Sequence, residues 1–193
     1  MNQRINMQLS LNDNPELYQL SASPPAKLAA FSRLYTIFMR FLNGLTNGEA
    51  EFESYLQRLL GQALLGEPDK RVFVYLDDQG RGRSGKSSLI HSIREAWLPL
   101  PRAEQESYLE SVDGPSFWNS GRGLVILTGT LTASVPADNF FWLYVNRIPF
   151  RYSFVASPAP GNFQKLADPD ILTSLRSETA GILAWLLQGC KEY

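Results

Sequence analysis

The stretch from Gly80 to Ser87 has the residue types and the spacing of a phosphate-binding loop. It reads Gly-Arg-Gly-Arg-Ser-Gly-Lys-Ser and fits the pattern G-x-x-x-x-G-K-[ST]. The glycines permit backbone angles that turn successive N–H groups toward a single anion. A helix that begins near Lys86 would direct its positive end at the same anion. We therefore expect this stretch to bind the phosphates of a nucleotide.

Two residues of the loop carry the specific chemistry. Lys86 is placed to reach the β- and γ-phosphates, and the hydroxyl of Ser87 is placed to ligate Mg²⁺. ATP and Mg²⁺ are the expected cofactors, and a surface turn rich in glycine and arginine is the competing interpretation. The candidate cofactor-binding residues are Gly80, Arg81, Gly82, Arg83, Ser84, Gly85, Lys86, Ser87 and Ser88.

Other charged residues leave two interpretations open. Arg81 and Arg83 either contact phosphate or are solvated. Arg147 and Arg151 flank Ile-Pro-Phe, and either reach the nucleotide of a neighbouring subunit or have a surface role. Lys86 and Arg147 are the candidate catalytic residues. Two further side chains were considered for chemistry: we expect His91 to be a helix-face residue and Cys190 to be inert.

An acidic residue for hydrolysis is not evident in the sequence. Hydrolysis of a nucleoside triphosphate needs an acid at a strand end that holds Mg²⁺ and polarises water. After the loop, the hydrophobic run GLVILT leads into Gly129 and Thr130 rather than into an acid. Asp77 and Asp78 precede the loop, where their charge opposes phosphate, so we interpret them as structural or solvated.

The elements around the loop follow a strand, loop, helix order. The run Arg71–Leu76 is β-branched and aromatic, which predicts a buried strand, and a helix is predicted from Ser87 to about Trp97. Apolar residues at three- and four-residue steps predict two earlier helices, over Lys27–Leu45 and about Ala50–Leu65. This order is the start of an α/β unit with a helical extension in front.

Sequence patterns predict fewer helices and strands in the second half of the chain. Candidate strands cover Gly123–Thr128 and Phe140–Val145, and a short helix is predicted near Ala103–Ser111. The residues Asp168-Pro-Asp predict the start of a last helix that runs to about Gln188. The predicted domains are a polar arm (1–25), a helical extension (26–66) and a P-loop domain (67–193).

Composition limits the class of protein. The chain has 193 residues, of which 44% are hydrophobic, enough to form a core. A net charge of -1 excludes nucleic-acid coating by charge alone, and one Cys with one His exclude a disulfide framework and a standard zinc site. The longest apolar run, Phe140–Val145, is too short for a membrane span, and the N-terminus has no signal core. We expect a soluble, intracellular, cytoplasmic protein with no membrane partner.

Several blocks of the sequence resemble the helicase domain of viral, phage and plasmid primase-helicases. The stretch YLQRLLGQALLGEPDKRVFVYLDDQGRGRSGKSSLI resembles the start of that superfamily 3 domain, which is an AAA+-like P-loop NTPase. The later blocks VPADNFFWLYVNRIPFRYSFV and SETAGILAWLLQGCKEY resemble its end, so the likeness covers roughly residues 24–100 and 123–193. The resemblance implies an α/β P-loop fold with a short parallel sheet and a C-terminal helix. It also implies ATP-dependent DNA replication activity, single-stranded DNA as partner and a homo-oligomer, which is a hexamer in the family.

The chain departs from the family pattern at the catalytic positions. The segment between the loop and the closing blocks is shorter, and no Walker B acid strand is recognisable. The position of the acid or sensor Asn falls on Gly129 or Thr130, and that of the trans-acting arginine falls on Tyr144, three residues before Arg147. Two alternatives to an active helicase domain therefore stay open: a catalytically degenerate relative with a nucleotide-binding or structural role, and a small-molecule P-loop kinase.

Overall fold

The computed structural model of the chain describes residues 35–65, 72–97, 106–110, 116–121, 123–129 and 140–190. These residues belong to one unit. The arm predicted for residues 1–25, and the part of the first predicted helix that precedes Tyr35, lie outside the described residues.

The described elements begin with two helices and end with two helices, and the strands lie between them. The helices are α1 (Thr36–Thr46), α2 (Ala50–Leu65), α3 (Lys86–Trp97), α4 (Ile171–Arg176) and α5 (Thr179–Gly189), with a 3-10 helix at Phe140–Tyr144. The strands are β1 (Val72–Asp77), β2 (Ser107–Leu109), β3 (Ser116–Asn119), β4 (Leu124–Thr128), β5 (Val145–Pro149), β6 (Ser153–Val155) and β7 (Gln164–Leu166). The prediction of α2 is confirmed, as is the strand, loop, helix unit of β1 and α3.

The main sheet has the strand order β2-β3-β4-β1-β5. Strand β1 pairs in parallel with β4 on one side and with β5 on the other, so that Tyr75 lies opposite both Leu127 and Arg147. Strands β3 and β2 extend the sheet beyond β4 in antiparallel fashion. The mixed α/β class with a short parallel sheet is thus confirmed, and its parallel part consists of β4, β1 and β5. Strands β6 and β7 form a separate parallel pair.

Two sequence predictions are wrong. The run predicted as a strand at Phe140–Val145 is a 3-10 helix up to Tyr144, and strand β5 begins only at Val145. The physical reason is burial: Leu143 and Tyr144 are 82% and 71% exposed, whereas Val145 and Ile148 are buried. The helix predicted near Ala103–Ser111 is a strand at Ser107–Leu109, because these residues pair with β3.

The last predicted helix is divided in two. Helix α4 ends at Arg176, and α5 begins at Thr179. The carboxylate of Glu178, between them, accepts hydrogen bonds from the backbone N–H groups of Ile37 (3.0 Å) and Phe38 (2.7 Å). These N–H groups have no partner within α1, so Glu178 caps α1 from a distant part of the chain.

Helices α2 and α5 pack closely because a glycine from each lies at their contact. A Cβ atom at Gly61 would be 2.5 Å from the carbonyl oxygen of Leu186, and one at Gly189 would collide with the carbonyl oxygen of Gln57. The core between the helices and the sheet includes Trp118, Tyr75 and Phe38, all fully buried. Among the described residues, no helix has the length and apolar character needed to cross a membrane.

Candidate functional site

The glycine loop lies at the carboxyl end of the central strand of the sheet. Strand β1 ends at Asp77 and α3 begins at Lys86, so residues 78–85 connect the two. The neighbours β4 and β5 run parallel to β1 and end at the same edge. Ligands of open α/β sheets bind outside this edge. The predicted loop is therefore where such a fold places a binding site.

The backbone of the loop turns repeatedly through the left-handed region. Positive φ angles occur at Gln79 (56°), Gly80 (73°), Gly82 (65°), Arg83 (51°) and Gly85 (82°). Left-handed residues between right-handed ones bring successive N–H groups to one side, which forms a concave site for an anion. The loop thus combines five left-handed residues between the end of β1 and the start of α3.

The carboxylate of Asp78 lies inside this concave site. Its Oδ2 atom accepts hydrogen bonds from the N–H of Gly82 (3.1 Å) and the hydroxyl of Ser84 (3.3 Å), and forms an ion pair with Nζ of Lys86. The Oδ1 atom accepts the N–H of Gly80 at 3.1 Å. Three donors of the loop therefore converge on one anionic oxygen.

Asp78 and Lys86 are both buried. Their side chains are 7% and 9% exposed. Burial by itself raises the pKa of Asp78, but the hydrogen bond and charge of Lys86, with the bonds from Gly80 and Ser84, outweigh it and leave the pKa below its ordinary value. Asp78 is thus structural rather than solvated, and it is held as a carboxylate by loop donors.

Further N–H groups of the loop lie at the start of α3. The backbone N–H groups of Ser84, Gly85, Lys86 and Ser87 donate to no acceptor within the described part of the chain. They follow one another at the start of α3, where the helix dipole favours negative charge. An anion with several oxygens, such as a phosphate chain, has donors here beyond those that Asp78 uses.

Strand β6 fixes the loop from the opposite side. The N–H of Phe154 donates to the carbonyl of Arg83 (2.8 Å), and the hydroxyl of Ser153 donates to the carbonyl of Gly82 (3.1 Å). Both bonds use carbonyl oxygens and do not involve the N–H groups of Gly80 and Gly82, which donate to Asp78. Gly85 lies so close to α1 that a Cβ atom there would be 2.6 Å from Cδ2 of Leu45.

The arginines of the loop lie at its surface. Arg81 and Arg83 are both exposed. The guanidinium of Arg81 donates weakly to the carbonyl of Arg151 (3.4 Å) and lies 5.7 Å from the centre of the Phe163 ring. Both arginines are therefore solvated at the surface of the loop.

Arg147 is held at the base of the loop by its own chain. Its Nε and NH2 atoms lie 2.7 Å and 2.6 Å from Oδ2 of Asp77. The other oxygen of Asp77 accepts the N–H of Gln79 at 2.7 Å. The guanidinium is still half-exposed. This pairing joins β5 to the first residues of the loop.

The residues for metal binding are only partly present. Ser87 is exposed and Ser88 is half-buried in the first turn of α3, so the Ser87 hydroxyl is accessible to a metal ion. Strand β4, the neighbour of β1, ends with the buried Thr128, followed by Gly129, whose carbonyl accepts the hydroxyl of Tyr75 (2.7 Å). No group of three His, Cys, Asp or Glu that could hold a metal ion occurs among the residues described.

Two other candidates are structural. His91 contacts the Tyr108 hydroxyl (3.4 Å) and Glu110 (3.7 Å) on the face of α3, as expected for a helix-face residue. The thiol of Cys190 donates to the carbonyl of Gly61 (2.8 Å), and burial raises its pKa. A protonated thiol is a poor nucleophile.

Sequence reasoning missed three contacts at the site: the inward position of Asp78, the Arg147–Asp77 ion pair and the Ser153 bond to the loop. The only signal for the first was an acid two residues before the glycine motif. No family model, curated protein or solved structure matches the chain. The family expectation therefore depends on the residue resemblance alone.

Proposed function

We propose that the chain binds the phosphates of ATP in the loop from Gly80 to Ser87. One observation carries the proposal: a loop of left-handed residues directs a backbone N–H, a hydroxyl and a buried ammonium at a single anionic oxygen of Asp78. The same donor types recognise phosphate oxygens. The N–H groups from Ser84 to Ser87, which donate to no acceptor within the described residues, would supply the further donors that a di- or triphosphate needs.

Lys86, Ser87 and the backbone between Gly82 and Gly85 have separate roles in this proposal. Lys86 would contact the terminal phosphates, and the backbone of Gly82 to Gly85 would enclose them. Ser87, exposed at the start of α3, would provide a hydroxyl ligand to Mg²⁺. When bound, Mg²⁺ neutralises phosphate charge. The chain's own residues hold and orient the phosphates.

We propose further that this loop serves a superfamily 3 helicase-like domain of a DNA replication protein. The support is the resemblance of the blocks on both sides of the loop. Single-stranded DNA and further copies of the chain are the partners that this proposal entails. An active domain would hydrolyse ATP with residues supplied at a subunit contact.

A catalytically degenerate relative is the second candidate, and two observations favour it. Strand β4 ends at Thr128 and is followed by Gly129, where a metal-binding acid is needed. Arg147, the candidate catalytic arginine, is paired with Asp77 of its own chain. Under this proposal the chain binds nucleotide without turnover and acts as an interaction protein.

The test is the binding of a fluorescent ATP analogue by the purified chain, with and without Mg²⁺. Lys86→Ala removes a charged hydrogen bond worth about 2–3 kcal/mol, which weakens binding roughly 30- to 150-fold. The matched control is Arg176→Ala, which removes one positive charge at an exposed residue of α4. Equal affinity of Lys86→Ala and wild type would overturn the site.

Turnover separates the two candidates. Phosphate release by the wild-type chain at saturating Mg-ATP that increases when single-stranded DNA is added favours the helicase-like domain. Binding without phosphate release favours the degenerate relative. Light scattering with and without nucleotide reports whether copies of the chain assemble.

A further inference from the structure

We propose that Asp78 is an internal competitor of the nucleotide: its carboxylate occupies the phosphate site and must leave before phosphate binds. The inference depends on the proposed function and adds a regulatory step to the same site. Asp78 is the first residue after β1, and its side chain turns into the loop rather than away from it.

The donors that hold Asp78 are the donors that a phosphate needs. Its Oδ2 atom alone accepts from Gly82 and Ser84 and pairs with Lys86. A phosphate oxygen has the same negative charge and accepts from the same kinds of groups. The site thus already contains an anion that belongs to the chain.

Simultaneous occupancy is unfavourable for electrostatic reasons. Lys86 supplies the positive charge inside the loop, and its ammonium is buried together with the carboxylate. A phosphate chain beside Asp78 would place like charges together in a poorly solvated space, where they repel strongly. Binding therefore requires Asp78 to turn out of the loop and Lys86 to change partners.

The geometry of the loop permits this movement. Gly80 and Gly82 have open space around them, since a Cβ atom at either position would meet nothing within 4 Å. The carbonyl side of the loop stays fixed by Ser153 and Phe154 of β6. Departure of the Asp78 side chain would break its bonds to the N–H groups of Gly80 and Gly82, whereas the two bonds from β6 to the loop carbonyls would remain.

Occupation of the loop by the Asp78 carboxylate lowers the apparent affinity for ATP. When only a fraction of molecules has the site open, the apparent dissociation constant is the intrinsic one divided by that fraction. Couplings of this kind usually change affinity by roughly 5- to 150-fold. Asp78→Asn keeps an oxygen that accepts the Gly80 N–H but removes the charge that holds Lys86. We expect this variant to bind ATP roughly tenfold more tightly or better.

The experiment is calorimetric titration of ATP and of inorganic pyrophosphate into four full-length proteins. These are the wild type, Asp78→Asn, the double variant Asp78→Asn/Lys86→Ala and the control Asp170→Asn. Asp170 is exposed and its side chain makes no cap bond to α4, so the control makes the same chemical change away from the loop. Thermal unfolding establishes that each variant is folded.

Tighter binding of both ligands by Asp78→Asn, lost in the double variant and absent in Asp170→Asn, supports the inference. Equal or weaker binding by Asp78→Asn, with measurable binding by the wild type, overturns it and leaves the proposed function standing. The same gain in Asp170→Asn would assign the effect to net charge and also overturn it. If no variant binds at millimolar ATP, the proposed function fails and the inference with it.

Discussion

Substitution of Gly85 by Ala should destabilise the fold more than the same change at Gly80. Both glycines have left-handed backbones, with φ angles of 82° and 73°. Their surroundings differ. A Cβ atom at Gly85 would lie 2.6 Å from Cδ2 of Leu45 and 3.4 Å from Cε2 of Phe41, whereas one at Gly80 would meet nothing within 4 Å. Leu45 is itself buried, so its side chain has little room to yield.

The magnitudes follow from two separate costs. A left-handed backbone at an L-residue costs about 1–2 kcal/mol, and this applies to both variants. Overpacking of a buried contact costs about 1–3 kcal/mol more, and this applies to Gly85→Ala alone. The expected losses are thus about 2–5 kcal/mol for Gly85→Ala and about 1–2 kcal/mol for Gly80→Ala. For a chain of 193 residues, each kcal/mol lowers Tm by about 2–4 °C.

Urea unfolding followed by circular dichroism measures both losses. Leu45→Ala removes the atom that the new Cβ would meet, so the double variant Leu45→Ala/Gly85→Ala should be more stable than the sum of its single changes by about 1–2 kcal/mol. Leu45→Ala combined with Gly80→Ala should be additive. Equal losses at the two glycines, or no coupling to Leu45, would refute the packing of the loop against α1.

Three further predictions concern contacts that hold the domain together. Glu178→Gln removes the charge that caps α1 through Phe38 and should lower the free energy of unfolding by about 1–2 kcal/mol in a urea titration. Gly61→Ala forces a Cβ atom toward the Leu186 carbonyl at the α2–α5 contact and should cost about 1–3 kcal/mol in the same titration. Because Asp78 has a lowered pKa in the fold, its contribution to stability is fully present above its ordinary value of 3.8 and is lost as pH falls through the lower folded value. The stability difference between wild type and Asp78→Asn should therefore shrink in acid.

Each of these predictions has a control. Glu51→Gln removes an exposed charge from the first turn of α2 and should cost only about 0.3–1 kcal/mol, so an equal loss in both glutamate variants would contradict capping by Glu178. Gly44→Ala makes the same change within helix α1, where a Cβ atom would meet nothing nearer than 3.5 Å, so it isolates the close helix contact tested by Gly61→Ala. A stability difference at Asp78 that stays constant from neutral to acid pH would contradict the lowered pKa.

The parts of the fold that sequence predicted well are those with a strong periodic pattern. Helix α2 has apolar residues at helical spacing over its whole length, and its bounds match the structure. Strand β1 is a continuous apolar run because it lies between two strands and is buried from Val74 onward. The glycine spacing then placed the loop and the start of α3.

The incorrect predictions of secondary structure occur where the burial or pairing of a segment depends on residues distant in sequence. The apolar run at Phe140–Tyr144 predicts a buried strand, yet Leu143 and Tyr144 face outward in a 3-10 helix. The strand at Ser107–Leu109 has only alternation over three residues, and its pairing with β3 decides its form. Local patterns do not contain this information.

In the candidate site, too, some features could be predicted from local sequence and others depend on the folded structure. The spacing of the motif alone predicts Lys86 and Ser87 as residues of the site. The pairing of Arg147 with Asp77 needed the strand order, since it requires β5 to lie beside β1 in parallel register. The inward turn of Asp78 needed the loop conformation itself, because the sequence shows the charge of Asp78 but not its direction.

The most direct test of the central claim is to follow the backbone amides by nuclear magnetic resonance while ATP is added. Phosphate binding in the loop predicts that the largest saturable shifts lie at Gly82 to Ser87, and that Lys86→Ala weakens them strongly. Arg176→Ala should give the wild-type pattern. Saturable shifts elsewhere in the domain, or none in the loop at millimolar ATP, would contradict the claim that this loop is a nucleotide site.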